Sequence, residues 1–239
     1  MDAKDVSSLV WESLAPLLVP KGFKLDRKWG YRRVLPEVRQ TVGMWSVDYY
    51  LESKFSLDFC FRVEAAEAIR QQFDEVPPEF RKVTETCGVR LNTLVPSVGK
   101  GIVVKDRRAL HRALSKLTPA LVRDVLPLLD SHQDLNSIDL LMNGNTREWF
   151  AGASGTSHPM NSVIVARLAG NPDWERLAGE HRERMIGRVS DENLASYERI
   201  VRYLSHMPES GARAEPVAAP ARGGSTGLRH PSPRRRRGR

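Results

Sequence analysis

Cysteine is scarce in this chain: Cys60 and Cys87 are the only two among 239 residues. They form no CxxC, so neither a disulfide scaffold nor a thiolate zinc site is expected, and two thiols point to a reducing cytosol. Aromatic residues are few, at 7%. Long apolar runs are missing as well, and none approaches the roughly 20 residues that a bilayer-spanning helix needs. The opening Met1-Asp2-Ala3-Lys4-Asp5 lacks a basic stretch leading into an apolar core, so no secretory leader is expected. These absences give the expectation of a cytoplasmic protein without a membrane partner.

Catalytic motifs are missing too. Gly99-Lys100 suggests a phosphate-binding loop, but that motif needs a glycine where Leu94 stands and Ser or Thr where Gly101 stands. Gly152-Ala153-Ser154-Gly155 suggests a nucleophile elbow, yet GxSxG needs glycine at Thr156. The Gly/Ser loop running to Ser157 leads into a helix, and its N–H groups suit either an anion or ordinary capping. The six histidines (111, 132, 158, 181, 206, 230) show no HExxH, HxH or Cys/His spacing, so no metal is expected. Asp130 and Asp134 fit one helix face but lack any accompanying substrate signal. No catalytic residue and no cofactor are assigned.

What is present is charge, and it is unevenly placed. The net charge is +8, but residues 208–239 carry eight Arg and two Glu, a net of +6, leaving +2 for the rest. That stretch has five Pro, five Gly and no Phe, Trp or Tyr. It has too little apolar surface to offset ordering entropy and reads as a disordered tail. Arg234, Arg235, Arg236 and Arg237 form the densest run. The run suits weak, salt-dependent phosphate contact with nucleic acid, or only a solvated extension. Arg outnumbers Lys 28 to 9, a bias that a GC-rich bacterial genome also produces.

Periodicity supplies the fold class. Val6, Leu9, Val10, Leu14, Leu17 and Leu18 recur at helical spacing over 5–19, with Asp5 or Ser7 as cap. Three strand-like stretches follow: Phe23–Arg33, interrupted near Arg27; Val38–Leu51, with Trp45, Val47, Tyr49 and Leu51 on one side; and Phe55–Val63, whose odd positions are all apolar. A helix over Glu64–Val76 precedes short strands at Val89–Val95 and Ile102–Val104. Helices then dominate: Arg107–Leu117 behind Asp106, one from Pro119 disturbed at Pro127, Met160–Leu168 ending at Gly170, one to Met185, and a last one behind Ser190. Strands early and helices late predict an α+β fold: an N-terminal helix, an antiparallel sheet of about five strands and a helical C-terminal half. Residues 1–207 are expected as one globular unit, with subdomains at 1–105 and 106–207 if it divides.

Trp29 and Trp45 fall in phase with apolar neighbours and so suit the core. Facing outward, Trp29, Tyr31 and Trp45 would instead make a partner contact on the sheet. Cys87, beside Gly88, is expected as a buried structural thiol.

One resemblance bears on function. Leu14–Leu18, Lys21-Gly22-Phe23-Lys24, Tyr31-Arg32-Arg33 and Phe59-Cys60-Phe61-Arg62-Val63 together resemble the opening of a bacterial family of domains of unknown function. That family starts with a helix, a GFK segment, a YR segment and antiparallel strands. The resemblance covers residues 8–63, lacks the family's glutamine-plus-serine strand ending, and has no counterpart in the helical half. It implies a protein-binding role of the immunity or defence kind and transfers no catalytic residue. The expectation is therefore a non-catalytic module that binds another protein. Nucleic-acid association through the tail, and an enzyme whose site is assembled from scattered residues, are the alternatives.

Overall fold

The computed structural model describes residues 2–49, 52–99, 101–144 and 157–208, with the side chains of 157 and 158 left aside. The run Arg234–Arg237 and the loop 152–156 lie outside the described residues. The fold is α+β, with an N-terminal helix, an antiparallel sheet and a helical C-terminal half.

Helix α1 (Ala3–Leu18) starts at Asp2, whose carboxylate accepts from the Asp5 N–H at 2.8 Å. The expected caps Asp5 and Ser7 are thus inside the helix. Val6, Val10, Leu14 and Leu18 form its buried stripe, at the spacing of one helix face. A 3-10 turn, Val19–Lys21, ends at Gly22, whose φ of 83° is left-handed.

The first predicted strand proves to be two, β1 (Lys24–Asp26) and β2 (Gly30–Val34), joined by a turn through Arg27, Lys28 and Trp29. Gly30 is required there. Its φ is 92°, and a Cβ would lie 2.2 Å from the Val42 carbonyl oxygen and 3.0 Å from the Trp11 ring. Strands β3 (Val38–Tyr49) and β4 (Glu52–Val63) form a long antiparallel hairpin, pairing Val38 with Val63 and Tyr49 with Glu52. Helix α2 (Glu64–Arg70) is shorter than predicted. Strand β5 (Cys87–Arg90) is also cut short, because Leu91–Leu94 make a helical turn, α3. Strand β6 (Ile102–Val104) lies on β4 beyond β5, so the order is β1-β2-β3-β4-β5 with β6 sharing β4.

The helical half begins with α4 (Arg107–Ala120), capped by Asp106 onto the Ala109 N–H at 2.7 Å. No new helix opens at Pro119, which lies inside α4. The rod continues through a π-turn, Leu121–Val125, into α5 (Leu126–Ser131). That turn precedes Pro127, which cannot donate an i→i−4 bond, so the ladder is rewound where it must lose one. Then come α6 (Leu135–Asn143), α7 (Ser157–Leu168), α8 (Trp174–Met185) and α9 (Asp191–Ser205). Asp134 and Ser190 cap α6 and α9. In α7 every residue from Met160 to Ala166 is buried, as in a helix packed on all sides. One buried apolar cluster runs from Val6 to Leu204 and spans both halves. Among the described residues, no helix is long and apolar enough to cross a membrane.

Candidate functional site

The β3–β4 register decides which side chains share a face. Val38, Gln40, Val42 and Met44 lie opposite Val63, Phe61, Phe59 and Leu57. Phe55, Leu57, Phe59, Phe61 and Val63 are all buried, so this is the core face. The opposite face carries Arg39, Thr41, Gly43, Trp45, Val47 and Tyr49 on β3, facing Arg62, Cys60, Asp58, Ser56, Lys54 and Glu52 on β4.

Polar groups on the core face serve attachment. Arg33 donates to Gln40 Oε1 at 2.9 Å and to the Leu129 carbonyl at 2.9 Å. Gln40 donates to the Leu129 and His132 carbonyls, both at 2.7 Å. These bonds satisfy the otherwise orphaned carbonyls at the end of α5 and lock it to the sheet. Asp130 takes Arg33 at 3.0 Å and Lys21 at 2.6 Å, whereas Asp134 caps α6. The two carboxylates considered as a pair therefore have separate partners and separate tasks.

The outer face is strapped at one end. Arg39 and Arg62 stand directly opposite each other, a repulsive cross-strand pair. Glu64 Oε1 bridges them at 3.1 and 2.8 Å. Arg62 also donates to the Arg81 carbonyl at 2.9 Å and to Thr84 Oγ1 at 2.7 Å, and Arg39 to the Lys82 carbonyl at 3.0 Å. Behind them Glu67, fully buried, accepts from Arg70 at 2.9 Å and from Thr86 Oγ1 at 3.1 Å. The segment around 81–86 is thereby held across this end of the sheet. Glu85 comes with it, near Thr41, and its Oε2 is shielded without a hydrogen bond. Burial pushes the Glu85 carboxyl up to about 7, against the pull of Arg39, Arg62 and Arg32.

The other end of the outer face is open. Val47 is 44% and Tyr49 55% exposed, and Trp45 is half-buried. Asp58 keeps 31% side-chain exposure, while its Oδ1 is shielded and accepts no hydrogen bond. Its nearest cation, Arg90, stands 4.0 Å away. Burial raises the Asp58 pKa, and Arg90 lowers it by less. Trp29 is half-buried in the β1–β2 turn, with Lys28 and Arg32 over its ring at 4.7 and 5.5 Å.

The three sheet residues singled out in the sequence do not share one surface. Tyr31 is 3% exposed on the core face, packs edge-on against Trp11 at 5.8 Å and donates to the Trp11 carbonyl at 3.3 Å. Trp45 faces outward, with Trp29 placed by Arg32 on that same side. The reading that put both tryptophans in the core by apolar phase fails for Trp45, because β3 buries its even positions. The sequence pattern sets Val47 and Tyr49 on one side with Trp45 without marking them as contacts, and Gly43 and Asp58 do not stand out in it at all. The signal was available in β4: its unmistakable apolar phase, carried across the antiparallel register, sets Trp45 opposite Ser56 on the outer side.

Nucleophilic chemistry finds little support in these groups. Cys60 pairs with Gly88 and Phe61 with Cys87, so the two thiols lie on opposite faces and cannot join. Burial pushes both thiols up, further raised by Glu85, so both are protonated at neutral pH. Among the described residues, no three His, Cys, Asp or Glu side chains gather as a metal site. A cleft of about 430 Å³ between α8 and α9 is lined by Trp174, Ala178, Tyr197 and Val201. Its Tyr197 hydroxyl is committed to the Ala178 carbonyl at 2.8 Å, and Arg182 pairs with Glu198 at 2.7 Å on its wall.

No family model, no curated protein and no solved structure matches this chain.

Proposed function

We propose that this chain is a non-catalytic module that docks another protein on the open end of its outer sheet face. The observation carrying this reading is the stripe Trp45–Val47–Tyr49. Three consecutive outward positions of one strand hold large apolar side chains, and all three retain exposure. A rigid sheet surface bearing half-buried aromatics, rimmed by Arg32, Lys54 and Asp58, has the makeup of a protein interface: an apolar centre with a polar rim. A stable partner would cover roughly 1,200–2,000 Å² in total, extending beyond the stripe itself. The two thiols, held on opposite faces, fit a reducing compartment, and we place the protein in the cytosol.

The test is capture from the native host by the immobilised full chain, compared with Val47→Asp. Val47 is 44% exposed and lies outside the buried apolar cluster, so the variant should fold and melt within about 2–4 °C of the wild type, the cost of Asp in a strand. One protein captured stoichiometrically, and lost at least about tenfold with Val47→Asp, is the expected result; a charge buried unpaired in an interface costs that much or more. Equal capture by both chains, or no protein captured by the wild type, removes the reading.

A further inference from the structure

Gly43 interrupts the outer row of β3 between Thr41 and Trp45. A Cβ at Gly43 would meet nothing closer than the Asp58 carbonyl oxygen at 3.9 Å and the Trp29 carbonyl oxygen at 4.0 Å. The missing side chain thus leaves a notch with oxygen-lined walls. Directly across the strand pair stands the Asp58 carboxyl, and the next outward residue of β3 is Trp45.

We propose that this notch receives the guanidinium of an arginine side chain presented by the docked protein, with Asp58 as its carboxylate and Trp45 as its stacking surface. The assignment rests on the docking reading above and adds to it the chemistry of the contact. A carboxylate with one oxygen shielded and without a hydrogen bond gains from a donor that meets its exposed part. Asp58 Oδ1 is shielded in this way, and the side chain keeps 31% exposure through which an incoming donor reaches the carboxylate. Arg90 is an ion-pair partner but does not fill the role: its Nε stands 4.0 Å from Oδ1, beyond hydrogen-bond reach, and its side chain is 62% exposed. The face already shows cation affinity at its other tryptophan, where Lys28 and Arg32 lie over the Trp29 ring. A planar guanidinium suits the site better than an ammonium. It can fork onto a carboxylate with its edge while lying flat on an indole, and it is more weakly hydrated.

The experiment needs no partner. N-acetyl-arginine amide is titrated into the ¹⁵N-labelled full chain, and the Gly43 amide and Trp45 indole N–H signals are followed. N-acetyl-citrulline amide, of the same shape without the charge, and N-acetyl-lysine amide are run beside it. The expected result is saturable shifts at both signals with Kd on the order of 1–10 mM, no saturation with citrulline, and weaker binding of the lysine compound. Asp58→Asn and Gly43→Val should each weaken the arginine compound at least about tenfold, one by removing the charge and the other by filling the notch. Gly43→Val has room for its Cβ and places a β-branched residue in a strand, so it keeps the fold testable should Asp58→Asn lose it. The proposal is overturned by absent or unsaturable shifts at Gly43 and Trp45, by equal binding of citrulline or lysine, or by Asp58→Asn and Gly43→Val binding as the wild type does. Such an outcome leaves the docking reading standing, since that is read on Val47→Asp. Loss of the docking reading, conversely, leaves these shifts as they are.

Discussion

The two faces of the sheet are built from the same two strands and obey different rules. On the core face β4 presents Phe55, Leu57, Phe59, Phe61 and Val63, all buried, and α1 and α5 are fastened over it. Two of its polar residues, Arg33 and Gln40, are bonded to each other, to Asp130 and to the carbonyls at the end of α5. The outer face mixes charge and aromatic surface. It is buried where Arg39 and Arg62 strap the 81–86 segment and open where Trp45, Val47 and Tyr49 stand. The difference teaches that apolar identity alone does not assign a face: β3 buries Gln40 and exposes Tyr49 because β4 dictates the phase.

The sharpest way to break this comparison is to attack what each face depends on. Glu67→Ala should destabilise the fold by about 3–5 kcal/mol in urea unfolding, because it strips the buried Arg70 of its close carboxylate and the Thr84 and Thr86 hydroxyls of their acceptor, leaving Arg62 with Glu64 alone. A loss under about 1 kcal/mol would mean that the strapped end does not depend on this network. Phe59→Ala should cost a similar ~3–5 kcal/mol through cavity formation on the core face. Glu85→Gln probes the strapped end by pH. The folded pKa of about 7 exceeds the ordinary 4.5, so the folded chain holds the proton more tightly. Its contribution to stability is complete below about pH 4.5 and is lost as pH rises through about 7. The variant has no such loss. Its melting temperature should gain on the wild type between pH 5 and pH 8, by about 2–4 °C if partial solvent access leaves an effect near 1 kcal/mol. A difference that is flat with pH would show Glu85 to be ionised throughout. The smallest effect is expected from Trp45→Ala, at about 1 kcal/mol or less, since that ring is only half-buried. A cost equal to that of Phe59→Ala would erase the distinction between the faces.

Most of the fold was legible before any coordinates. The stripe of α1, the alternation of β4, the caps Asp106 and Ser190, and the glycine ending α7 are local signals, and each lies where expected. Boundaries were less legible where two local preferences compete. Val89–Val95 reads as a strand, yet pairing with β4 ends at Arg90 and the chain turns helical at Leu91. Pro119 reads as a helix start, but α4 packs through it, so burial of Leu114, Leu117 and Leu121 outweighs the missing N–H. The candidate site was legible only in fragments. Trp29 and Trp45 stood out by residue type, whereas Asp58 and Gly43 look unremarkable until the register sets them opposite each other.

The sequence by itself determined the class of the fold, the apolar phase of β4 and the separation of charge between body and tail. Those are properties of neighbours along the chain, where a period of two or 3.6 translates directly into a face. Tertiary structure alone decided that Tyr31 turns inward while Trp45 turns outward, and that Asp130 and Asp134 part company. It also decided that a carboxyl with one shielded oxygen lacking a hydrogen bond stands across from a glycine beside an indole. Each of these depends on pairing between distant segments, where a shift of one residue reverses every side chain, and no local pattern carries that information.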